Sequence, residues 1–326
     1  MKLPPPFLDS PFFLFSDLAE FSKALGEEVR PEEMEQIQAL VEKLLPPVTS
    51  RYTLATMFGI NPGLIWSMEN RTHRYYRSFT IPKGQTVRRI DAPKVALKII
   101  QKWLSVQLER LFVPPQHVFG FISGRSHIQA AAVHTGARWV FSVDIRNFFP
   151  TTPEALVREN LERLGFTISG ACLLARLSCL RGALAQGAPT SPALSNICFN
   201  AMDAQLADIA NDFSVRVSRY ADDIVFSGTS EFPTKLQEAV SALFESTTWV
   251  LAEEKTELAR LPQRLKVHGL LVHGNVVRLT KGYRHRLRAY RHLLAKGAVG
   301  NGDLKKVIGH LSYGDYIERL NSLDED

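Results

Sequence analysis

The sequence contains no apolar run near the ~18 residues that a membrane-spanning helix needs. Cysteine is scarce: Cys172, Cys179 and Cys198 are the three present. Their odd number leaves a disulfide framework incomplete, and they lack the spacing of a metal site. They are expected as core thiols in a reducing compartment. Prolines and an Asp interrupt the N-terminal MKLPPPFLDSPFFLF, where a secretory segment needs an unbroken apolar core. These absences lead to the expectation of a cytoplasmic protein with no membrane partner. Acids are scarce in one stretch, since Arg278–Lys306 holds nine Lys or Arg against the single Asp303. With 326 residues, 45% of them hydrophobic, the chain can bury a core as one multi-lobed unit or two to three subdomains. A formal charge of +6 permits a nucleic-acid partner without requiring one.

Arg219–Gly228, RYADDIVFSG, organises what is present. Val215 and Val217 lead in with alternating apolar character, and Ile224, Val225 and Phe226 lead out. This is the pattern of a β-hairpin at the mouth of a buried sheet. Asp222 and Asp223 sit between the two runs. Adjacent carboxylates repel unless something positive holds them, and a divalent cation does so through the hard oxygen ligands Mg²⁺ prefers. A polar turn that happens to be Asp-Asp is the plain alternative, and the hairpin alone leaves both open.

Trp139–Phe149, WVFSVDIRNFF, adds a further acid. It begins as an apolar strand of the kind buried on both faces, with Asp144 the one charge among its first six residues. A carboxylate ending such a strand needs a cation or hydrogen bonds. If the strand pairs beside the hairpin, Asp144, Asp222 and Asp223 converge on two metal ions ~3.5–4 Å apart, the arrangement for in-line displacement at phosphorus.

Four segments in order, VDIRNFF at Val143–Phe149, QGAPTSP at Gln186–Pro192, YADD at Tyr220–Asp223 and EKT at Glu254–Thr256, resemble the catalytic boxes of reverse transcriptases. From about Arg51 to about Tyr316 the chain is most similar to the bacterial retron members. The resemblance implies an α/β (α+β) right-hand polymerase: an N-terminal helical extension over 1–50, fingers over 51–138, a palm of antiparallel sheet with helices over 139–275, and a short helical thumb over 276–326. It implies RNA-directed DNA synthesis from dNTPs with two Mg²⁺ ions, Mn²⁺ substituting, bound by Asp144, Asp222 and Asp223. Lys255 matches the lysine that protonates the leaving pyrophosphate, or is a plain exposed lysine.

The remaining boxes follow in chain order. Tyr52–Trp66 suggests two short helices about a turn, read as the opening of the fingers rather than as a DNA-binding helix-turn-helix. Lys83 and Arg88, with Arg89 beside them, cluster at a hairpin and match residues that grip the incoming triphosphate, unless they form a solvated basic turn. In FGFISGRSH, Gly120 and Gly124 allow close backbone turns, and Arg125 is a candidate for template phosphate. His134 either meets partner RNA or is a structural histidine. Phe149 matches the aromatic that fills the place of a ribose 2′-hydroxyl; Phe148, expected to alternate with it, is assigned to the core. Gln186 and Gly187 match contacts to the nucleotide or its template base, while the Ser-Pro step suits a helix start with Ser191 as cap and Pro192 in the first turn. On a helix, Arg284, Arg288 and Arg291 form a basic ridge suited to duplex phosphates.

The retron resemblance further implies a cognate structured non-coding RNA, partly copied into a branched or RNA-linked single-stranded cDNA, and anti-phage defence with a separate effector protein. Three departures mark a divergent member: Ala130 and Ala252 stand where the family has Asn, and His268 where it has Thr. Two other readings stay open, a non-retron bacterial reverse transcriptase and a catalytically idle RNA-binding scaffold.

Overall fold

The computed structural model describes residues 5–84, 86–300 and 302–323, with the side chains of Pro5, Lys83, Thr86, Ser322 and Leu323 outside the described set. The chain forms two compact units, one from Met1–Pro114, Arg146–Ala201 and Thr247–Val250, the other from Pro115–Ile145, Met202–Ser246 and Leu251–Asp326. No described helix is long and apolar enough to cross a membrane.

The first unit is mostly helical. Apolar periodicity predicts helices over 94–112, 154–164 and 168–180, and they form at Val95–Leu111, Glu154–Leu164 and Ile168–Ser178. Leu97, Ile100, Leu104 and Leu108 of the first are buried as one stripe. The N-terminal residues pack on that helix: Trp103 donates its indole N–H to the Ser10 carbonyl at 2.8 Å, and Phe58 meets Trp103 edge-on at 5.3 Å. A fully buried aromatic of this size is worth ~3–5 kcal/mol against Ala, so the N-terminal segment is part of this core. An antiparallel hairpin, Tyr76–Lys83 with Thr86–Pro93, completes the unit.

The second unit is built on a four-stranded antiparallel sheet in the order Arg216–Tyr220, Asp223–Gly228, Trp139–Asp144, Glu257–Arg260. The central strand Trp139–Asp144 is apolar and buried because neighbours cover both faces. On one side Val140 and Val225 join Leu265, Leu270, Leu287 and Ile317 in a single core. On the other, Phe141 and Trp139 meet Phe232 at 5.9 and 4.9 Å. The helix expected over 232–250 is shorter, Lys235–Glu245, because Pro233 precedes its first turn. The basic stretch 278–306 is not one helix: a short strand, Arg278–Leu279, precedes the helix Lys281–Ala295, and a second helix, Leu304–Leu323, packs back on it.

Candidate active site

The strand Trp139–Asp144 pairs with Asp223–Gly228 so that Asp144 lies directly across from Asp223. Tyr220 and Asp223 are also register partners, leaving Ala221 and Asp222 as a two-residue hairpin turn. The tip expected from the sequence is therefore present, and the neighbouring strand ends beside it. The Ile145 amide donates to the Asp222 carbonyl at 2.9 Å, tying the turn to the end of the central strand.

Asp144 is 8% exposed, while Asp222 is half-buried and Asp223 exposed. Burial raises the Asp144 carboxyl above its ordinary range; the Lys255 ammonium opposes this, and the charges of Asp222 and Asp223 reinforce it. Lys255 ends the short 3₁₀ turn Glu253–Lys255 and donates to Asp144 Oδ1. Its place beside a carboxylate was not foreseen in the sequence.

His268 stands on the other side. It and Gly269 form the two-residue turn between Lys266–Val267 and Leu270–Leu271, both with positive φ (48° and 82°), the geometry of a tight hairpin turn. The imidazole Nδ1 lies 3.7 Å from Asp223 Oδ2, and the ring centroid is 5.2 Å from that of Tyr220. A row of rings continues from there. His127 is 6.2 Å from Tyr220 and accepts or donates a 2.9 Å hydrogen bond with the Tyr313 hydroxyl, and Tyr283 meets Tyr313 edge-on at 5.8 Å. A capping box in which Ser126 and Gln129 satisfy each other's amides starts the helix His127–Ala132 and fixes where His127 points. Nothing local in the sequence reveals this row, because its members come from five separate segments.

Two residues assigned to nucleic acid are committed elsewhere. His134 is fully buried, with Nδ1 2.7 Å from the Ser227 hydroxyl and Nε2 2.7 Å from the Ser218 hydroxyl. It has no surface to offer RNA, so the structural alternative holds. Arg125 donates to the carbonyls of Pro115 and Val118, bracing its own loop. Arg284 and Arg288 are exposed, and Arg291 pairs with Asp315 at 2.6 Å across the two C-terminal helices. Both partners are about half exposed, so a phosphate could compete for that guanidinium at a cost of ~1 kcal/mol or less.

His134 yields a pH prediction. Burial pushes its imidazole from the ordinary 6.5 down to about 3, with Arg216 and His268 adding to the effect. The unfolded chain takes up a proton at this residue below 6.5 that the folded chain refuses until about 3. Stability is therefore full above that window and falls as pH drops through it, by several kcal/mol over ~3 pH units. Chemical denaturation between pH 7 and 4.5 will show this slope, and His134→Gln will flatten it; an equal slope in the variant would refute the assignment.

The residues that the resemblance matches to nucleotide contacts belong to the first unit. The Asp91 amide donates to the Gln186 carbonyl at 2.7 Å, and a Cβ on Gly187 (φ 121°) would come 2.9 Å from Ile90 Cγ2, so only glycine fits this close approach. The Gln186-Gly187 turn thus lies against the strand that carries Arg88, which is half-buried. Lys83 is in the paired strand, but its side chain lies outside the described residues. Arg89 is drawn to Asp91 at 3.2 Å, as is Arg181 at 3.4 Å. Burial would raise the Asp91 carboxyl, but the Ser78 hydroxyl and these two guanidiniums outweigh it and hold it below the usual range. Phe148 is 4% exposed and Phe149 half-buried. They lie in a turn with their rings 5.9 Å apart and nearly parallel, so alternation is not what separates them. Ser191 begins the helix Ser191–Asp212 but donates its hydroxyl to the Ala185 carbonyl at 2.7 Å, correcting its assignment as the cap.

Residues 81–272, more than half the chain, match the family model described as reverse transcriptase (RNA-dependent DNA polymerase). The retron Mx65 reverse transcriptase of Myxococcus xanthus is 32% identical over 302 residues, covering 85% of this chain and 70% of that one. The chain belongs to the retron-type reverse transcriptases. A second relative in the family, the retron Mx162 reverse transcriptase of the same organism, is also 32% identical, over 78% of this chain and 61% of its own length. Among solved structures, telomerase from Candida albicans aligns with a TM-score of 0.43 at 12% identity, over 74% of this chain and 55% of that one.

Reverse transcriptases use a divalent metal, and the donor set here fits one. Three carboxylates supply hard oxygens within one pair of strands and its turn, and the charges of Asp222 and Asp223 add to the burial that raises the Asp144 carboxyl. Among the described residues no three acidic, His or Cys side chains are already grouped around one point, and Asp144 accepts from Lys255 through Oδ1.

Proposed function

We propose that this chain copies part of a cognate structured non-coding RNA into single-stranded DNA from dNTPs, and that the DNA stays joined to the RNA, through a branch at a 2′-hydroxyl or a direct link. The observation that carries the reading is the placement of Asp144 directly opposite Asp223, with Asp222 in the adjoining turn. In this reading residues 51–138 act as fingers, 139–275 as palm and 276–326 as thumb, behind an N-terminal extension over 1–50.

Asp144, Asp222 and Asp223 would hold two Mg²⁺ ions, for which Mn²⁺ can substitute. When bound, such a pair stabilises the attacking and leaving oxygens of an in-line displacement. The chain's own residues do the rest. Lys255, once released from Asp144, delivers a proton to the leaving pyrophosphate. Lys83 and Arg88 hold the triphosphate by charge, and the Gln186-Gly187 turn offers a backbone surface to nucleotide and template. Arg284, Arg288 and Arg291 follow duplex phosphates, which makes binding fall steeply with salt. A separate effector protein and a role in anti-phage defence belong to the same proposal.

Phe149 acts by volume. Its ring rests beside Phe148, itself held edge-on by Phe199 at 5.5 Å, so it cannot yield freely to a 2′-hydroxyl. Phe149→Ala is expected to reduce the preference for dNTPs over rNTPs by about 10–200-fold, read as the ratio of kcat/KM values. An unchanged ratio would remove Phe149 from this role.

The deciding experiment is to purify the protein from its native context, extract bound nucleic acid, and treat it with RNase, DNase and a debranching enzyme. A short DNA joined to RNA, absent when Asp222 and Asp223 are both Ala, supports the proposal. Bound RNA without attached DNA, from protein supplied with dNTPs and Mg²⁺, overturns it.

A further inference from the structure

Beneath the turn that carries Asp222 lies an ion pair that no part of the reaction uses. Arg219 and Asp203 are both 0% exposed. The guanidinium donates twice to the carboxylate, Nε to Oδ1 and Nη2 to Oδ2, each at 2.6 Å. Its third nitrogen, Nη1, donates to the Ala221 carbonyl at 3.0 Å. Ala221 has φ 60°, a left-handed conformation that disfavours any residue with a Cβ. The Arg219 backbone is also fully engaged: its amide donates to the His117 carbonyl at 2.8 Å, and its carbonyl accepts from the amides of Phe119 and Gly120 at 2.8 and 3.4 Å.

A buried ion pair is poor evidence of stabilisation, because a well-packed apolar pair of similar volume does as well. Its geometry points instead to what an apolar pair cannot do. Only a planar guanidinium spans a carboxylate with two nitrogens while offering a third to a carbonyl. Asp203 comes from the helix Ser191–Asp212, and its two bonds aim the fork at the carbonyl of Ala221, the one residue between Tyr220 and the acids.

We infer that Arg219, oriented by Asp203, is the positioning residue of the acidic turn: it holds Ala221 in its left-handed conformation and thereby sets the directions of Asp222 and Asp223 for ligation. The inference rests on the polymerase reading above. Arg219 touches neither nucleotide nor metal; it acts through the peptide it grips.

Two variants test this. Arg219→Lys keeps a charge beside Asp203 but cannot reach Asp203 and the Ala221 carbonyl together. The double variant R219M/D203L replaces the pair by apolar volume. Primer extension, Mn²⁺ binding by electron paramagnetic resonance, and hydrogen exchange of peptides covering 219–224 are measured on wild type and both variants, with thermal melts alongside. Expected for R219K is a folded protein whose kcat falls on the order of 10–100-fold with little change in the KM for dNTP. Mn²⁺ binding weakens, and exchange rises at 219–224 but not over 97–108. A folded double variant behaves the same way. Active wild type with R219K unchanged in kcat and Mn²⁺ affinity overturns the positioning role alone. An R219K chain that no longer folds overturns it too, since the pair then serves the fold. Wild type without any incorporation sinks the polymerase reading, and this inference with it.

Discussion

Asp222→Asn and Asp223→Asn will each lower nucleotide incorporation by about 10³-fold or more while leaving the thermal transition unchanged or slightly raised. Asn preserves shape and removes the anionic oxygen. At these positions shape matters little for folding, since Asp222 is half-buried and Asp223 exposed. What Asn removes is charge. Each carboxylate raises the Asp144 carboxyl, so neutralising either relieves repulsion in the folded chain. The same charge is what a divalent cation needs, and its loss costs several kcal/mol of transition-state stabilisation at ~1.4 kcal/mol per tenfold in rate. Steady-state primer extension beside calorimetry checks both halves. Incorporation within tenfold of wild type would remove the residue from the metal-binding set.

Gly120→Ala is expected to damage the same turn from the side. A Cβ at Gly120 would overlap the Ala221 amide nitrogen and lie 2.8 Å from the Tyr220 carbonyl carbon and 2.9 Å from the Ala221 Cα. All three are backbone atoms, so no rotamer relieves the contact. Either the Phe119-Gly120 segment leaves Arg219, losing two amide bonds, or the turn shifts with its carboxylates. Overpacking of this kind costs ~1–3 kcal/mol. A displacement near 1 Å at reacting groups costs about 10²-fold in rate. Gly124→Ala is the informative contrast, because Gly124 has φ 75° with no neighbour within 4 Å of an added Cβ. Its cost is conformational, ~1 kcal/mol, and incorporation should stay near wild type. A G120A enzyme as stable and active as G124A would show that the contact is not felt.

Much of the site could be read along the chain because its signals are local. Alternating apolar residues on either side of Asp222-Asp223 foretell a hairpin, and the hairpin is there with the acids at its tip. The apolar run before Asp144 foretells a doubly covered strand, and it is central in its sheet. Residues whose role depends on a distant partner were not readable in this way. A lone histidine such as His134 looks the same in sequence whether it faces RNA or two serines on neighbouring strands. Arg125 reads as a phosphate contact until its own loop's carbonyls are seen to accept from it. Arg219 stands close to two acids in sequence yet pairs with Asp203, which the helix Ser191–Asp212 brings to it from outside the hairpin.

The sequence by itself determined the local geometry and the chemistry on offer: which residues turn, which periods bury a face, where three carboxylates and a basic ridge fall, and which family those boxes belong to. These follow from neighbours two to four residues apart, whose relation is set by the backbone repeat alone. Only the tertiary structure decided that Asp144 faces Asp223, that Lys255 and His268 flank them, and that a buried guanidinium grips Ala221. Those contacts join segments far apart in the chain, and they are selected by strand register and by burial of the whole sheet, quantities to which every core residue contributes and which no single stretch encodes.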